Sequence, residues 1–273
     1  MELPESYIPI DRRLAMARGV DLPARTSGAA LFADISGFTP LTETLTRELG
    51  PQRGAEELSH QLIVIYSALI AQVEQYRGSV ISFSGDAITC WFDDDERRTT
   101  NDERRTTEMG DKLSSSVLSP QHSASLRAIA CALAMQEALS YFATIETPSG
   151  ASVTLAIKVA VAAGPVRRFL IGDPHIQLID VLAGAMLSRL AAAEHCAEKG
   201  EVIASAEVVA KLADALTIHA WRDGETPDQR FAVVAGLARA VPPNPWPLLP
   251  EGALDDAAIR PWLLTSVYER LSA

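Results

Sequence analysis

Two short apolar runs in this chain each end on an aspartate, and few folds can accommodate both. Leu31–Thr39 reads LFADISGFT and Gly78–Phe92 reads GSVISFSGDAITCWF. The first predicts a strand over Ala29–Ala33 that delivers Asp34 into a turn, with a helix starting after Gly37. The second predicts strands over Val80–Phe83 and Ala87–Phe92, joined by a tight turn at Ser84-Gly85 that carries Asp86. Each carboxylate is thereby placed where a strand meets a turn. Mg²⁺ takes hard oxygen ligands, keeps several waters and is held by one or two carboxylates together with substrate phosphates. Two aspartates on neighbouring strand ends would suit a metal pair about 3.5–4 Å apart, the spacing used for in-line displacement at phosphorus. Ile35, Ser36, Gly37, Phe38 and Thr39 are expected to present backbone N–H groups at a helix N-terminus, which favour phosphate. Taken singly, either aspartate is more often a turn or helix-cap residue than a metal ligand.

Two ordered motifs at this separation carry a resemblance. FADISGFT followed by GAEELSHQLIVIYSALIAQVEQYRGSVISFSGDAITCWF resembles the catalytic domain of class III adenylyl and guanylyl cyclases, most of all the first cyclase domain of the soluble adenylyl cyclases and their bacterial tandem-domain relatives. It continues through AVAAGPVRRFLIGD (Ala160–Asp173) and GAMLSRLAAAEHCAEKGEVIAS (Gly184–Ser205), covering roughly residues 28–235. The resemblance implies an α+β, ferredoxin-like βαββαβ core, with helices packed on a mixed or antiparallel sheet. It also implies two Mg²⁺ or Mn²⁺ ions at Asp34, Ile35 and Asp86, and nucleotide held near Gly37, Phe38, Thr39 and Gly85.

Composition narrows the class. With 48% hydrophobic residues in 273 and no apolar run of membrane-spanning length, the chain reads as a globular, cytoplasmic protein. A net charge of −11 argues against a nucleic-acid surface and against anionic membrane. Cys90, Cys131 and Cys196 lie far apart in apolar or helical surroundings and read as reduced core thiols.

Residues 1–27 form a lead-in to a domain spanning 28–236. Leu41–Leu49 reads as helical, Gly50-Pro51 as a break, and Arg53–Tyr76 as an amphipathic helix with Leu58, Leu62, Ile65, Leu69 and Val73 on one face. Residues 93–120, with the tandem repeat DERRTT, carry too much charge and too little apolar surface to order themselves and predict a mobile insertion. Ser123–Phe142 returns to helix. Val153–Ala163 predicts a long strand ending at Gly164-Pro165, with Val166–Ile171 pairing back against it. Ile176–Val181, Glu201–Ala204, Leu216–Trp221 and Arg230–Val234 read as strands, and Ala183–Glu198 and Ala206–Ala213 as helices, all helices lying on one face of the sheet. Residues 237–273 combine a proline-rich linker, VPPNPWPLLP, with a helix that resembles the one leading toward a second cyclase domain.

In class III cyclases the active site forms between two homologous domains, so the resemblance can be followed residue by residue. One side supplies the two metal-binding aspartates, here Asp34 and Asp86. The other supplies a purine-reading Lys, an Asp or Thr, and an Asn and Arg for the transferring phosphate. Those positions fall on Ser82, near Asp180, on Ser188 and on Ala192. Asp180 sits one residue off register and fits a buried or capping role as well. The Lys and Arg that bind bicarbonate in the soluble cyclase fall on Ser82 and Ala191. Arg189, His175 and Arg167 or Arg168 are the remaining cations that could meet an anion. The resemblance thus implies a metal-donating half that needs ATP and a complementary second cyclase domain. A catalytically silent regulatory module is the alternative, with a palm-type nucleotidyl transferase behind it.

Overall fold

The computed structural model describes residues 4–94, 123–227, 229–250 and 252–272; the expected mobile insertion falls outside these, apart from Asp93 and Asp94. Its central strand is β1 (Arg25–Ser36), followed by α2 (Phe38–Leu49), α3 (Pro51–Gln75), the hairpin β2 (Ser79–Ser84) and β3 (Ala87–Asp93), and α4 (Ala124–Ser140). A small ribbon of β4 (Thr144–Glu146) and β5 (Ser152–Thr154) leads into β6 (Ala156–Asp173), and β7 (Gln177–Ala183) folds back on it. Then come α5 (Ala185–Cys196), β8 (Val202–Ser205), α6 (Ala206–Leu212), β9 (Leu216–Asp223) and β10 (Arg230–Leu237). The sheet order is β2-β3-β1-β6-β8-β10-β9, with β7 also paired to β6. Its first four strands are mutually antiparallel and give the βαββαβ core, and β8 joins β6 in parallel.

Both faces of this sheet are covered, which is why β1 reads as an unbroken apolar run instead of alternating. Ala29, Leu31, Ala33 and Ile35 point toward α2, α3 and α4 and join Leu41, Leu45, Ile65, Leu69, Val73 and Ile129 in the main core. Ala30, on the other pleat, joins Trp91, Ala160, Ala162, Met186, Leu190 and Phe231 in a second core under α5. The expectation that all helices share one face is therefore corrected. Alanine-rich α5 lies close against small residues of β6 on the opposite side.

Two strand boundaries also differ from expectation. β1 runs through Asp34 to Ser36, because all twelve of its residues pair with β6. The turn comes at Gly37, whose φ of 110° is left-handed and whose missing Cβ would lie 2.5 Å from the Thr154 carbonyl oxygen. Only glycine fits there. Likewise β6 does not reverse at Gly164-Pro165. The strand runs 18 residues in all, exchanging β8 for β7 along one edge while β1 holds the other as far as Arg167. The reversal falls at Asp173–Gln177 instead.

The ends of the chain wrap this sheet. The proline-rich stretch expected to act as a linker is anchored: buried Trp246 donates its indole N–H to the Gly78 carbonyl at 2.8 Å, and Asn244 N–H bonds Gln75 O at 2.8 Å. Beyond it, α7 (Asp256–Ile259) and α8 (Thr265–Ser272) pack Ile259, Trp262, Leu263, Val267 and Tyr268 on Ile8, Met16 and Leu178. Those partners belong to the start of the chain, which includes α1 (Ile10–Ala17), and to β7.

Candidate active site

Antiparallel pairing of β1 with β3 sets Asp34 opposite Ala87, the residue after Asp86, and the Ile35 amide donates to the Asp86 carbonyl at 3.2 Å. Asp86 occupies the exposed hairpin turn, beside Gly85 at φ 64°. Asp34 is more enclosed, with a side chain 24% exposed. Burial raises its pKa above the ordinary carboxylate value, the charges of Asp86 and Glu194 add to that, and Lys158 opposes it. Two carboxylates therefore stand in one another's field.

Lys158 was not anticipated. It is paired across the sheet from Asp34 on β6, so the two side chains share a face, and its Nζ lies 3.4 Å from Asp34 Oδ2 while also pairing with Glu194 of α5. Desolvation pulls the ammonium pKa down, but Glu194 and Asp34 outweigh it and raise the value, so Lys158 is fully charged at neutral pH. A signal for Lys158 existed: it is the one charged residue in the otherwise apolar run AIKVAVAAGP. Glu194 gave none, since charged residues are ordinary on helices. Tyr66, on α3, is the third addition: burial first, then the charges of Asp86 and Asp34, push its phenol up to about 12.

The loop after Asp34 is less free than expected. The Ile35 amide is engaged by Asp86, its side chain is 1% exposed in the core, and the Ser36 hydroxyl donates to the Ala156 carbonyl at 3.1 Å. The donors that remain include the amides of Gly37 and of Phe38 and Thr39 at the start of α2, because Gly37 caps that helix without a side-chain hydrogen bond, while Pro40 has no N–H. Phe38 itself is 8% exposed and packs inward.

A cleft of about 350 Å³ adjoins this cluster, lined by Phe32, Ser82, Thr89, Asp180, Ala191 and Glu194, among others. Ser82 and Ala191 thus share one cavity, and neither brings a cation. Ser188 is exposed and Ala192 half-buried on α5. Asp180 is 3% exposed and bound by Arg168, at 2.8 and 3.0 Å, and by Arg12 Nε, at 2.7 Å. Arg168 also binds Asp11, so it is unavailable to an outside anion, whereas Arg167 and His175 are exposed. Arg189 donates to the Ala163 carbonyl at 3.2 Å and pairs with Glu207 at 3.0 Å. Cys90 and Cys131 are buried thiols with raised pKa, while Cys196 is half-buried and packs against the edge of the second core.

Among the described residues no cluster of three or more His, Cys, Asp or Glu side chains could hold a metal alone. The pair Asp34 and Asp86 nonetheless suits a hard divalent cation that completes its shell with phosphate oxygens and water. Their mutual repulsion is what such a cation relieves.

The chain has the fold of the class III nucleotidyl cyclase catalytic domain. It superposes on the adenylyl cyclase CyaB from P. aeruginosa with a TM-score of 0.58 and 18% identity, covering 79% of this chain and 97% of that one. For the guanylate cyclase domain of RhGC from Catenaria anguillulae, solved in complex with GTP, the TM-score is 0.54 and the identity 16%, over 79% and 100% of the two chains. In sequence the chain is similar to adenylate cyclase type 10: 26% identical over 210 residues to the Rattus norvegicus protein and 27% over 179 residues to the Homo sapiens one. These stretches are 77% and 65% of this chain, which spans 11% and 9% of those relatives' lengths. No protein-family model matches the chain.

Proposed function

We propose that this domain is the metal-donating half of an adenylate cyclase site, working with a complementary cyclase domain of the same or another chain. The observation that carries the reading is Asp34 and Asp86 side by side, with Lys158 fixed between Asp34 and Glu194. Mg²⁺ or Mn²⁺ on the two aspartates would supply charge neutralisation at the triphosphate and acidify the ribose 3′-hydroxyl. The reaction joins that 3′-oxygen to the α-phosphorus and breaks the bond to the β-phosphate oxygen, releasing pyrophosphate and one proton and giving cyclic AMP.

The chain's own groups have distinct parts in this. Lys158 neutralises Asp34 before substrate arrives and is placed to turn to a phosphate oxygen when the carboxylate is engaged elsewhere, with Glu194 holding its other side. The Phe38 and Thr39 amides offer two further phosphate donors. Ser82, Ser188 and Ala192 leave base reading and charge stabilisation to the partner, and losing one such preorganised donor costs about 10²–10³ in rate. Apolar Phe169, Leu170, Ile171, Ile176 and Ile179, all exposed on the β6–β7 hairpin, suit a partner domain's surface.

Mixing this chain with a cyclase domain that carries the Lys, Asp or Thr, Asn and Arg should yield cyclic AMP from ATP and Mn²⁺, while the chain alone stays nearly inactive. No cyclic nucleotide from the mixture overturns the proposal. Lys158 already neutralising Asp34 favours one rival, a silent regulatory module. Mn²⁺ titration separates the two, because a ligand at 100 times its Kd raises stability by about 2.7 kcal/mol and a silent module gains little.

A further inference from the structure

Asp34 stands on the pleat of β1 that also carries Ala30 and Phe32, and Lys158 on the pleat of β6 that carries Ala160 and Ala162, so both side chains face α5. On that helix Met186, Leu190 and Glu194 follow one another at intervals of four, which puts Glu194 one turn beyond two side chains buried against the sheet. The helix thereby brings a carboxylate to the ammonium that Asp34 faces.

That ammonium has two acceptors of unequal pull. Lys158 Nζ lies 3.4 Å from Asp34 Oδ2, and its pairing with Glu194 Oε1 is the closer contact. Lys158 and Asp34 are each 24% exposed and Glu194 18%, so water screens these charges incompletely. A divalent cation arriving at Asp34 and Asp86 meets the positive charge of Lys158 and must drive it off Asp34. With Glu194 in place the ammonium keeps a carboxylate as it leaves. Without Glu194 it would be left partly buried and unpaired, which opposes the exchange.

We propose that Glu194 is a positioning residue that sets the divalent-cation affinity of the pair Asp34 and Asp86 by drawing Lys158 off Asp34. The inference rests on the reading of that pair as a metal site and adds what tunes it. Glu194 and Lys158 act in opposite senses. Removing the carboxylate commits the ammonium to Asp34 and weakens cation binding, whereas removing the ammonium frees Asp34 and strengthens it.

Mn²⁺ binding to the full chain at pH 8, read from the free-ion signal in electron paramagnetic resonance, tests this without nucleotide or partner domain. Glu194→Gln should raise the Kd about 10-fold, Glu194→Asp, which keeps the charge, should stay within about 3-fold of the parent chain, and Lys158→Met should lower the Kd about 10-fold. In the Lys158→Met background, Glu194→Gln should change the Kd less than about 2-fold, because the side chain it acts through is gone. An unchanged Kd in Glu194→Gln overturns the proposal, and so does an equal loss in both backgrounds, which would make Glu194 act on the metal by its own field. Asp34→Asn separates the two levels of the argument. Mn²⁺ binding that survives it, or no binding by the parent chain, removes the metal-site reading and this inference with it; binding lost in Asp34→Asn but untouched by Glu194→Gln removes this inference alone.

Discussion

At the scale of single residues, Asp34 decides both what the site costs and what it can hold. Its pKa is raised above 3.8, chiefly by burial, so ionising it is less favourable in the folded chain than in the unfolded one. The ligand-free protein should therefore lose stability as pH rises through that raised value, and Asp34→Asn should not lower the neutral-pH melting temperature. The same substitution should remove Mn²⁺-dependent stabilisation and cost more than about 100-fold in activity with the partner domain, as should Asp86→Asn. Metal binding needs the deprotonated carboxylate, so Mn²⁺ affinity should fall with pH at a midpoint above 3.8, read by thermal shift across pH 4–7. The two aspartates were legible in the sequence only together, through the two ordered motifs that carry them, since a single aspartate at a strand end is an ordinary turn or cap residue. Tyr66 was not, and Lys158 showed only as the lone charge in an apolar run; both reach the site through strand register and helix packing, which act between distant parts of the chain.

At the scale of elements, β6 and the buried ions at its far end matter most. Arg168 of β6 lies 2% exposed between Asp11 of α1 and Asp180 of β7, tying the three elements together. Burial alone would raise the Asp11 pKa, but Arg168 wins and holds it below 3.8. Asp11 thus stabilises the fold above the ordinary carboxylate value, and that contribution is lost as pH falls through its depressed one. Arg168→Ala leaves buried Asp11 without its ion-pair partner and Asp180 with Arg12 alone, and should cost about 3–5 kcal/mol, measured by urea unfolding at neutral pH. Most elements could be read from periodicity, the long α3 and the β2–β3 hairpin among them. Gly164-Pro165 misled because proline usually ends a central strand. Here it stands at the point where β6 exchanges one neighbour for another, and continuity along β1 carries the strand past it.

At the scale of the whole molecule, a sheet with helices on both faces is held at one side by the two ends of its own chain. Trp262→Ala, which empties a buried position between α1, β7 and the final helices, should cost about 3 kcal/mol and speed proteolysis at both ends together, seen by mass spectrometry of the early fragments. The apparent linker at Val241–Pro250 could not be recognised as an anchored strap because, Trp246 apart, its anchors are largely backbone hydrogen bonds, at Asn244 and Pro245, which leave no mark in the residue types. Since α8 rests against the Pro4–Tyr7 turn, the two extremities of the described chain are neighbours in space. A circularly permuted gene that splices them through a few glycines and opens elsewhere should thus encode the same sheet, making the order of elements along the chain exchangeable while their spatial arrangement is kept.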